Sequence, residues 1–298
     1  MLSRYQFEVL SHIEKYSFRE YSVRSLADEL RISTSCVHRT LNNLINGGYI
    51  EYENGKYQIN DSGLMLLEPF RVKKAIIFAA GFGSRLIPAT ANCPKPLVPV
   101  RGVRIIDTLL DALLLNGIED ITIVRGYLKE KFDELLIKYP SLKFIDNDDY
   151  DKANNISSAV LAAPYLSDGC YICEADLLIS NPDLILKYQY NSNILGTFAL
   201  ETDDFCFKMK DGFLHDYRQE GNTFCYMYYG ISYWTPEDCK KLQRDFVDEF
   251  AKDGGKDLYW EFVPFVNKKE NYNVEIRQCR RSDIIEIDNY NELLYLNS

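Results

Sequence analysis

From residue 73 to the C-terminus, continuous apolar runs alternate with stretches in which apolar residues recur every three or four positions. The continuous runs predict buried strands, and the helical spacing predicts amphipathic helices that connect them. The predicted strands include KAIIFAA, DITIVRG, LKFIDN and CYICEADLLI, and the predicted helices are IIDTLLDALLLNG, KEKFDELLIKY and ISSAVLAAPYL. This order favours an α/β fold with a mostly parallel central sheet, in which ligands bind at the carboxyl ends of the strands.

Residues 1–70 follow a different pattern, and we predict that they form a small domain separate from residues 71–298. Apolar positions at helical spacing predict three helices, of which the second and third are joined by a turn at Arg31–Ser33. Two alternating strands around Asn54-Gly55 then predict a hairpin. This order resembles the helix-turn-helix and wing of bacterial transcription regulators, which implies a small winged-helix domain.

The charge of this first segment bears on its partner. Residues 1–70 carry seven Lys and Arg against nine Asp and Glu, whereas contact with a phosphate backbone favours a basic surface. The second helix of the helix-turn-helix pair nevertheless offers polar side chains that suit base edges: Ser33, Thr34, Ser35, His38, Arg39 and Asn42. A protein-interaction or vestigial role and sequence-specific DNA binding therefore both remain open for this domain.

The composition of the whole 298-residue chain excludes some classes of protein. A formal net charge of −10 disfavours a general binder of nucleic acid or anionic membranes. No apolar run approaches the ~20 residues that a spanning helix requires, and the N-terminus lacks the pattern of a signal peptide. The eight scattered cysteines suit a reducing compartment, and strand alternation would place Cys170 and Cys173 on opposite faces. We therefore expect a cytoplasmic protein without membrane insertion.

The stretch AAGFGSRLIPATANCPKPL, residues 79–97, places two glycines, an arginine and a proline-framed lysine directly after a predicted strand. Leu86 stands where a dinucleotide fingerprint needs its third glycine, and the spacing of a mononucleotide P-loop is absent. What remains is a glycine turn whose backbone N–H groups can approach phosphate oxygens, followed by the cations Arg85 and Lys95. This arrangement suits a nucleoside triphosphate.

The same stretch resembles the signature of nucleotidylyltransferases, which join a nucleoside triphosphate to a phosphorylated sugar or alcohol and release pyrophosphate. Further segments are similar, in order and spacing, to bacterial CTP:phosphocholine cytidylyltransferases: RGYLKEKFDEL, NDDYDKANNISSAVL, CEADLLI, YYGISYW, DLYWEFV and IIEIDNYNEL. The resemblance runs from about Lys73 to the C-terminus. It implies a Rossmann-like nucleotidyltransferase domain that transfers CMP from CTP to phosphocholine, giving CDP-choline and pyrophosphate.

The resemblance also implies a role for each matching residue. Bringing two phosphates together requires Mg²⁺ and cations that neutralise charge during an in-line attack. Asp176 and Asp288 are the implied Mg²⁺ ligands, and the implied catalytic residues are Arg85, Lys95 and Asp176. The implied nucleotide-binding residues, of which the last three face the base, are Ala79, Ala80, Gly81, Gly83, Ser84, Arg85, Lys95, Tyr127, Asn154, Asn155 and Ser158. Glu174 stands where members of the family often have Asp.

The acceptor pocket is implied by the resemblance as well. A trimethylammonium group cannot donate hydrogen bonds, so aromatic faces and a nearby carboxylate have to select it. The implied pocket residues are Asp257, Tyr259, Trp260 and Glu261, together with Phe205, which replaces an expected tryptophan.

Three alternatives remain open for the function. In the first, the acceptor is phosphoethanolamine or 2-aminoethylphosphonate. Its primary ammonium group would favour carboxylates and hydrogen bonds over the aromatic faces that suit choline. In the second, the acceptor is a sugar-1-phosphate, although the segment DLYW is poor in groups that bind hydroxyls. In the third, the chain is a DNA-binding regulator that senses CDP-alcohols through a degenerate transferase domain. The residues whose retention argues against that loss of catalysis are Arg85, Lys95, Asp176 and Asp288.

Overall fold

The computed structural model describes residues 2–53, 55–218 and 222–298. The chain divides into two compact units. The first unit runs to Arg71 and also includes Tyr188–Tyr190, and the second comprises Val72–Lys187 and Asn191–Ser298. Tyr188–Tyr190 belong to the first unit because the Gln189 N–H donates to the carbonyl of Phe70, and the ring of Tyr190 stacks on that of Phe70 at 5.3 Å.

The first unit contains helices followed by a two-stranded antiparallel sheet and a further helix. These elements are α1 (Arg4–Lys15), α2 (Val23–Leu30), α3 (Thr34–Asn46), β1 (Ile50–Glu53), β2 (Lys56–Ile59) and α4 (Asp61–Leu67). The hydroxyl groups of Ser3, Ser22 and Ser33 accept backbone N–H bonds in the first turns of α1, α2 and α3, and so fix where these helices begin. Asn54, in the predicted hairpin turn, lies outside the described residues. The winged-helix assignment and DNA binding remain predictions.

The second unit is an α/β domain. Its strands are β3 (Lys74–Ala79), β4 (Pro99–Val100), β5 (Val103–Arg104), β6 (Asp120–Arg125), β7 (Lys143–Asp146), β8 (Cys170–Glu174), β9 (Leu177–Ile179), β10 (Asn193–Thr202), β11 (Cys206–Lys210), β12 (Phe213–Arg218), β13 (Asn222–Trp234), β14 (Glu275–Gln278) and β15 (Ile284–Glu286). Its α-helices are α5 (Ile105–Leu115), α6 (Ile156–Ala162), α7 (Pro236–Phe250) and α8 (Tyr290–Asn297). Within the described ranges, no helix is long and apolar enough to cross a bilayer.

The central sheet of this unit is mixed, with the strand order β10-β14-β12-β11-β13-β8-β3-β6-β7 and an additional pairing of β10 with β13. The strands β8, β3, β6 and β7 run parallel to one another. They are the strands that the apolar runs of the sequence predict. β13 joins β8 in the antiparallel direction and connects this parallel part to the remaining strands. The predicted α/β fold is therefore confirmed.

Alternate side chains of the parallel strands enter two separate apolar layers. In β3, Ile77 packs in the layer that contains α5, whereas Ile76 packs in the layer that contains α6 and α7. Cys173 lies in the first of these layers and Cys170 in the second. Their thiols are thus on opposite faces of β8, as strand alternation predicts.

Two segments differ from the sequence prediction. The segment KEKFDELLIKY forms a 3-10 helix over Lys129–Ile137 instead of an α-helix, and its buried residues Phe132 and Leu135 match a three-residue repeat. The run CYICEADLLI is interrupted at Ala175-Asp176, because β9 leaves the central sheet and pairs with β15. This interruption places Asp176 at the carboxyl end of β8.

Candidate active site

The centre of the candidate site is formed where β9 and β15 pair. These strands are antiparallel, with Leu177 opposite Glu286. The backbone N–H of Ile287 donates to the carbonyl of Asp176 at 3.4 Å. The pairing brings Asp176, before β9, and Asp288, after β15, into the lining of one cleft of about 300 Å³. The two carboxylates are thus held by neighbouring strand ends on a rigid scaffold.

Each of these carboxylates is paired with a cation from the glycine-rich segment. The Lys95 ammonium donates to Asp176 Oδ2 at 2.7 Å, and Arg85 Nη1 lies 3.0 Å from Asp288 Oδ1. The Lys95 side chain is only 10% exposed, whereas that of Arg85 is 69% exposed. Lys95 is therefore fixed in the wall of the site, and Arg85 is free to turn towards a ligand.

The glycine turn that carries these cations depends on Gly83. This residue has a φ of 61°, and a Cβ atom there would lie 2.8 Å from the Cβ of Lys95. The Thr90 hydroxyl donates to the Gly83 carbonyl at 2.8 Å. The Tyr127 hydroxyl is within 3.1 Å of the Thr90 carbonyl and 3.0 Å of the Ala91 carbonyl. Tyr127 therefore stabilises the turn indirectly, through the segment that contains Thr90.

A divalent metal fits the donor set at Asp176 and Asp288. Among the described residues, Asp176 Oδ1 is buried and has no hydrogen-bond partner. Such an oxygen suits a hard cation, and two carboxylates leave coordination positions for phosphate and water. The described part of the chain contains no group of three or more His, Cys, Asp or Glu arranged around one metal position. The fit therefore rests on these two carboxylates.

The cleft as a whole is strongly acidic. Its lining includes the carboxyl groups of Glu174, Asp176, Asp203, Asp204, Glu261, Glu286 and Asp288. The pKa of Glu261 is raised to about 7 and that of Glu286 to about 8, with burial as the largest cause and the Asp176 carboxylate as a contributor to both. Burial, followed by the Glu261 carboxyl, raises the pKa of Glu174 well above its ordinary value. A cleft with this charge favours cationic ligands.

Glu174 is held in the wall by Trp260. The indole N–H of Trp260 donates to Glu174 Oε1 at 3.1 Å, and the Trp260 side chain is fully buried. Gly230, with a φ of 61°, allows Glu174 to approach the backbone of β13. Trp260, which the sequence assigns to the acceptor pocket, therefore lies behind the wall of the cleft.

Aromatic side chains form another part of the wall: Phe205, Tyr228, Tyr229 and Tyr259. The ring of Phe205 stacks on Tyr217 with centroids 5.5 Å apart, and Tyr259 meets it edge-on at 5.8 Å. Within the described residues, Tyr228 Oη and Glu261 Oε2 are both buried without a hydrogen-bond partner. Besides Asp176 Oδ1, the cleft lining therefore contains two further polar atoms that a ligand can satisfy.

The structure brings together part of the predicted site. The predicted residues that line the cleft are Arg85, Asn155, Asp176, Phe205, Tyr259, Glu261 and Asp288. Lys95 reaches this set through Asp176. The predicted residues outside the lining of this cleft are Ala79, Ala80, Gly81, Gly83, Ser84, Tyr127, Asn154, Ser158, Asp257 and Trp260.

Several lining residues are absent from the sequence prediction. They are Asp203, Asp204, Tyr228, Tyr229 and Glu286. Glu286 could have been found, because it precedes Asp288 by two positions and strand alternation places both on one face. The others come from β13 and from the loop after β10, and no motif marks them.

Gly230 provides a stability prediction. In Gly230→Ala the new Cβ would lie 2.5 Å from Glu174 Cγ, so we expect the free energy of unfolding to fall by about 3 kcal/mol. The matched control is Gly254→Ala, which has a similar φ of 73° and no atom within 4 Å of the new Cβ. The free energy of unfolding of this control should fall by only about 1–2 kcal/mol, because the substitution adds backbone strain without a steric clash. Urea denaturation measures both variants, and equal losses would contradict the close approach of Glu174.

Comparison with known proteins places this site in a family. The nucleotidyl transferase family model matches residues 74–195. Over 221 residues, the chain is 36% identical to the 2-aminoethylphosphonate cytidylyltransferase of Lancefieldella rimae, covering 74% of this chain and 89% of that protein. Over 222 residues, it is 32% identical to the choline-phosphate cytidylyltransferase of Streptococcus pneumoniae, covering 72% of this chain and 93% of that protein.

A solved structure is similar over the same extent. The CTP:phosphocholine cytidylyltransferase from Streptococcus pneumoniae aligns with a TM-score of 0.70 and 30% sequence identity, covering 76% of this chain and 98% of that protein. Identity and coverage at this level extend well beyond the glycine-rich segment. The chain therefore belongs to the nucleotidyl transferase family, in which cytidylyltransferases are its relatives over most of its length.

Proposed function

We propose that the protein transfers CMP from CTP to a small phosphonate or phosphate that carries a primary ammonium group, with 2-aminoethylphosphonate as the acceptor. The relative from Lancefieldella rimae supports this acceptor, and the relatives from both organisms support CTP as the nucleotide. The observation that carries the proposal is the pair of buried, unpartnered polar atoms in the cleft wall, Glu261 Oε2 and Tyr228 Oη, in the described part of the chain.

These two atoms distinguish between the candidate head groups. A primary ammonium group has three N–H donors, whereas a trimethylammonium group has none. A buried acceptor that stays without a donor costs the full desolvation of that group. A primary ammonium beside Glu261 and Tyr228 removes this cost, and a choline head group leaves it in place.

The aromatic walls support the same choice. A quaternary ammonium group needs several open ring faces around it. One face of Phe205 is covered by Tyr217, and Trp260 is fully buried. Tyr259 is 40% exposed and offers part of a ring. Phosphocholine therefore stays the second candidate, and the sugar-1-phosphates have less support because the lining contains a single amide side chain among the described residues, Asn155.

The chemistry needs charge neutralisation and alignment. An oxygen of the acceptor phosphonate attacks the α-phosphorus of CTP, and the bond from that phosphorus to the bridging oxygen breaks, so that pyrophosphate leaves with the electron pair. The attacking oxygen is already anionic at neutral pH, and no side chain has to remove a proton. Lys95 and Arg85 would bind the triphosphate and stabilise the charge that builds on the leaving group.

The residues that would hold Mg²⁺ are Asp176 and Asp288. When bound, a divalent cation neutralises phosphate oxygens and supplies Lewis-acid stabilisation of the departing pyrophosphate. The protein positions the two carboxylates through the β9–β15 pairing. The same carboxylates are the partners of Lys95 and Arg85, so the two cations and a bound metal would share one pair of carboxylates.

Pyrophosphate release tests the proposal. With Mg²⁺ and 2-aminoethylphosphonate, we expect turnover with CTP and background rates with UTP, ATP and dTTP. With CTP held constant, phosphoethanolamine should be accepted and glucose-1-phosphate should not. Turnover with glucose-1-phosphate alone, or no turnover in any pair from folded protein, would contradict the proposed function.

A further inference from the structure

The loop before α6 is tied to the acceptor side of the cleft by its asparagines. Asn155 Oδ1 accepts the backbone N–H of Trp260 at 2.8 Å. Asn155 and Glu261 line the same cleft, and Asn155 lowers the pKa of the Glu261 carboxyl against the larger effect of burial. The oxygen of this amide is therefore engaged with the segment that carries Glu261.

Asn154 makes the same connection through two further hydrogen bonds, and a third lies within the loop. Its backbone N–H donates to the carbonyl of Lys256 at 2.7 Å, and its Nδ2 donates to the carbonyl of Asp257 at 3.2 Å. Its Oδ1 accepts the backbone N–H of Asn155 at 2.7 Å. The loop is thus fixed to residues 256–261 at several points.

A base-reading amide has to present a free donor and a free acceptor to the edge of cytosine. Asn154 uses its amide groups within the two segments, and Ser158 is 2% exposed with its hydroxyl accepting Asn147 Nδ2 at 3.0 Å. Asn155 lines the cleft, but its Oδ1 already binds the Trp260 peptide. These contacts fit a role on the acceptor side better than contact with the base.

We propose that Asn155 is a positioning residue for the acceptor and not a reader of the cytosine base. It holds the segment that carries the Glu261 carboxyl group through the Trp260 peptide. Asn154 supports it by fixing the segment at Lys256 and Asp257. The inference rests on the proposed function, because the acceptor is the ligand that Glu261 meets.

The expected result follows from the lost contacts. In Asn155→Ala, the Trp260 N–H loses its acceptor, and the segment that carries Glu261 loses this connection to the loop before α6. The KM for 2-aminoethylphosphonate should therefore rise by about tenfold. The KM for CTP and the preference for CTP over UTP should stay at the values of the unmodified protein, because the base does not touch this amide.

The experiment measures both KM values, the CTP-to-UTP preference and the thermal midpoint on the full-length protein. Asn155→Ser is measured in parallel. It is the smaller change, and it should still fold if Asn155→Ala does not. The matched control is Asn116→Ala, which removes an amide bonded to the carbonyl of Ala112 at the end of α5. The control should leave both KM values unchanged.

Two results would overturn the proposal. A raised KM for CTP with weaker discrimination against UTP would assign Asn155 to the base. Equal changes in both KM values, together with a lowered thermal midpoint, would assign it a purely structural role. Failure of the proposed function is distinguishable, because it appears in the unmodified protein as absence of turnover. In that case the inference is tested by calorimetric titration of the protein with CTP in the presence of Mg²⁺. Weaker CTP binding by Asn155→Ala than by the unmodified protein would contradict the inference.

Discussion

Replacing Asp176 by Asn should lower kcat by about a thousandfold. The substitution removes the charge of a partly buried carboxylate that Lys95 contacts at 2.7 Å and whose second oxygen is buried without a partner among the described residues. Asn is nearly identical in shape, so the fold should be retained. Pyrophosphate release at saturating CTP and acceptor measures the loss, and circular dichroism verifies folding.

The matched control for this variant is Asp203→Asn, which removes the same charge from the same cleft. Asp203 lies on the acceptor side, next to Phe205 in the loop after β10. Its replacement should reduce kcat by less than about tenfold, because Asp203 is exposed and solvent screens the effect of its charge on the electrostatic potential of the cleft. If Asp176→Asn and Asp203→Asn lost activity equally, the effect would come from general negative charge, and the metal assignment would be wrong.

Lys95→Met should reduce kcat by about a hundredfold. Methionine keeps the apolar stem that packs against Gly83, and it removes the ammonium group that binds Asp176. The lost charge is one that stabilises the pyrophosphate as it leaves, so kcat should fall more than the KM for CTP rises. Steady-state kinetics with varied CTP separates the two effects.

Lys241→Met serves as the control for Lys95→Met. The Lys241 ammonium lies 2.9 Å from Asp238 Oδ1 on α7, a lysine–carboxylate pair outside the lining of the cleft. Its loss should affect stability without changing kcat. Retention of more than about a tenth of the activity in Lys95→Met would contradict the catalytic role of Lys95.

The sequence predicts the parallel part of the fold because its strands are buried on both faces. Continuous apolar runs such as KAIIFAA mark such strands without reference to the rest of the chain. The glycine-rich segment is likewise recognisable from a short stretch of sequence, and its cations Arg85 and Lys95 pair with Asp288 and Asp176. Asp176 and Asp288 required the family resemblance, since their meeting depends on the pairing of β9 with β15.

The acceptor side of the cleft could not be derived from local patterns. Tyr228 comes from β13, and its position depends on the pairing of that strand with β8 and β10. Trp260 and Tyr259 are neighbours in sequence, yet one is fully buried and the other is 40% exposed. An aromatic-rich segment such as DLYWEF does not reveal which rings face a ligand, because burial is decided by tertiary packing.

The identity of the acceptor is the central claim, and a competition reaction tests it most directly. Limiting CTP is incubated with Mg²⁺ and equal concentrations of 2-aminoethylphosphonate and phosphocholine, and the two products are quantified by mass spectrometry. The buried acceptors Glu261 Oε2 and Tyr228 Oη predict that CMP-aminoethylphosphonate exceeds CDP-choline by about tenfold or more. An excess of CDP-choline would contradict the account and assign the cleft to a quaternary ammonium group.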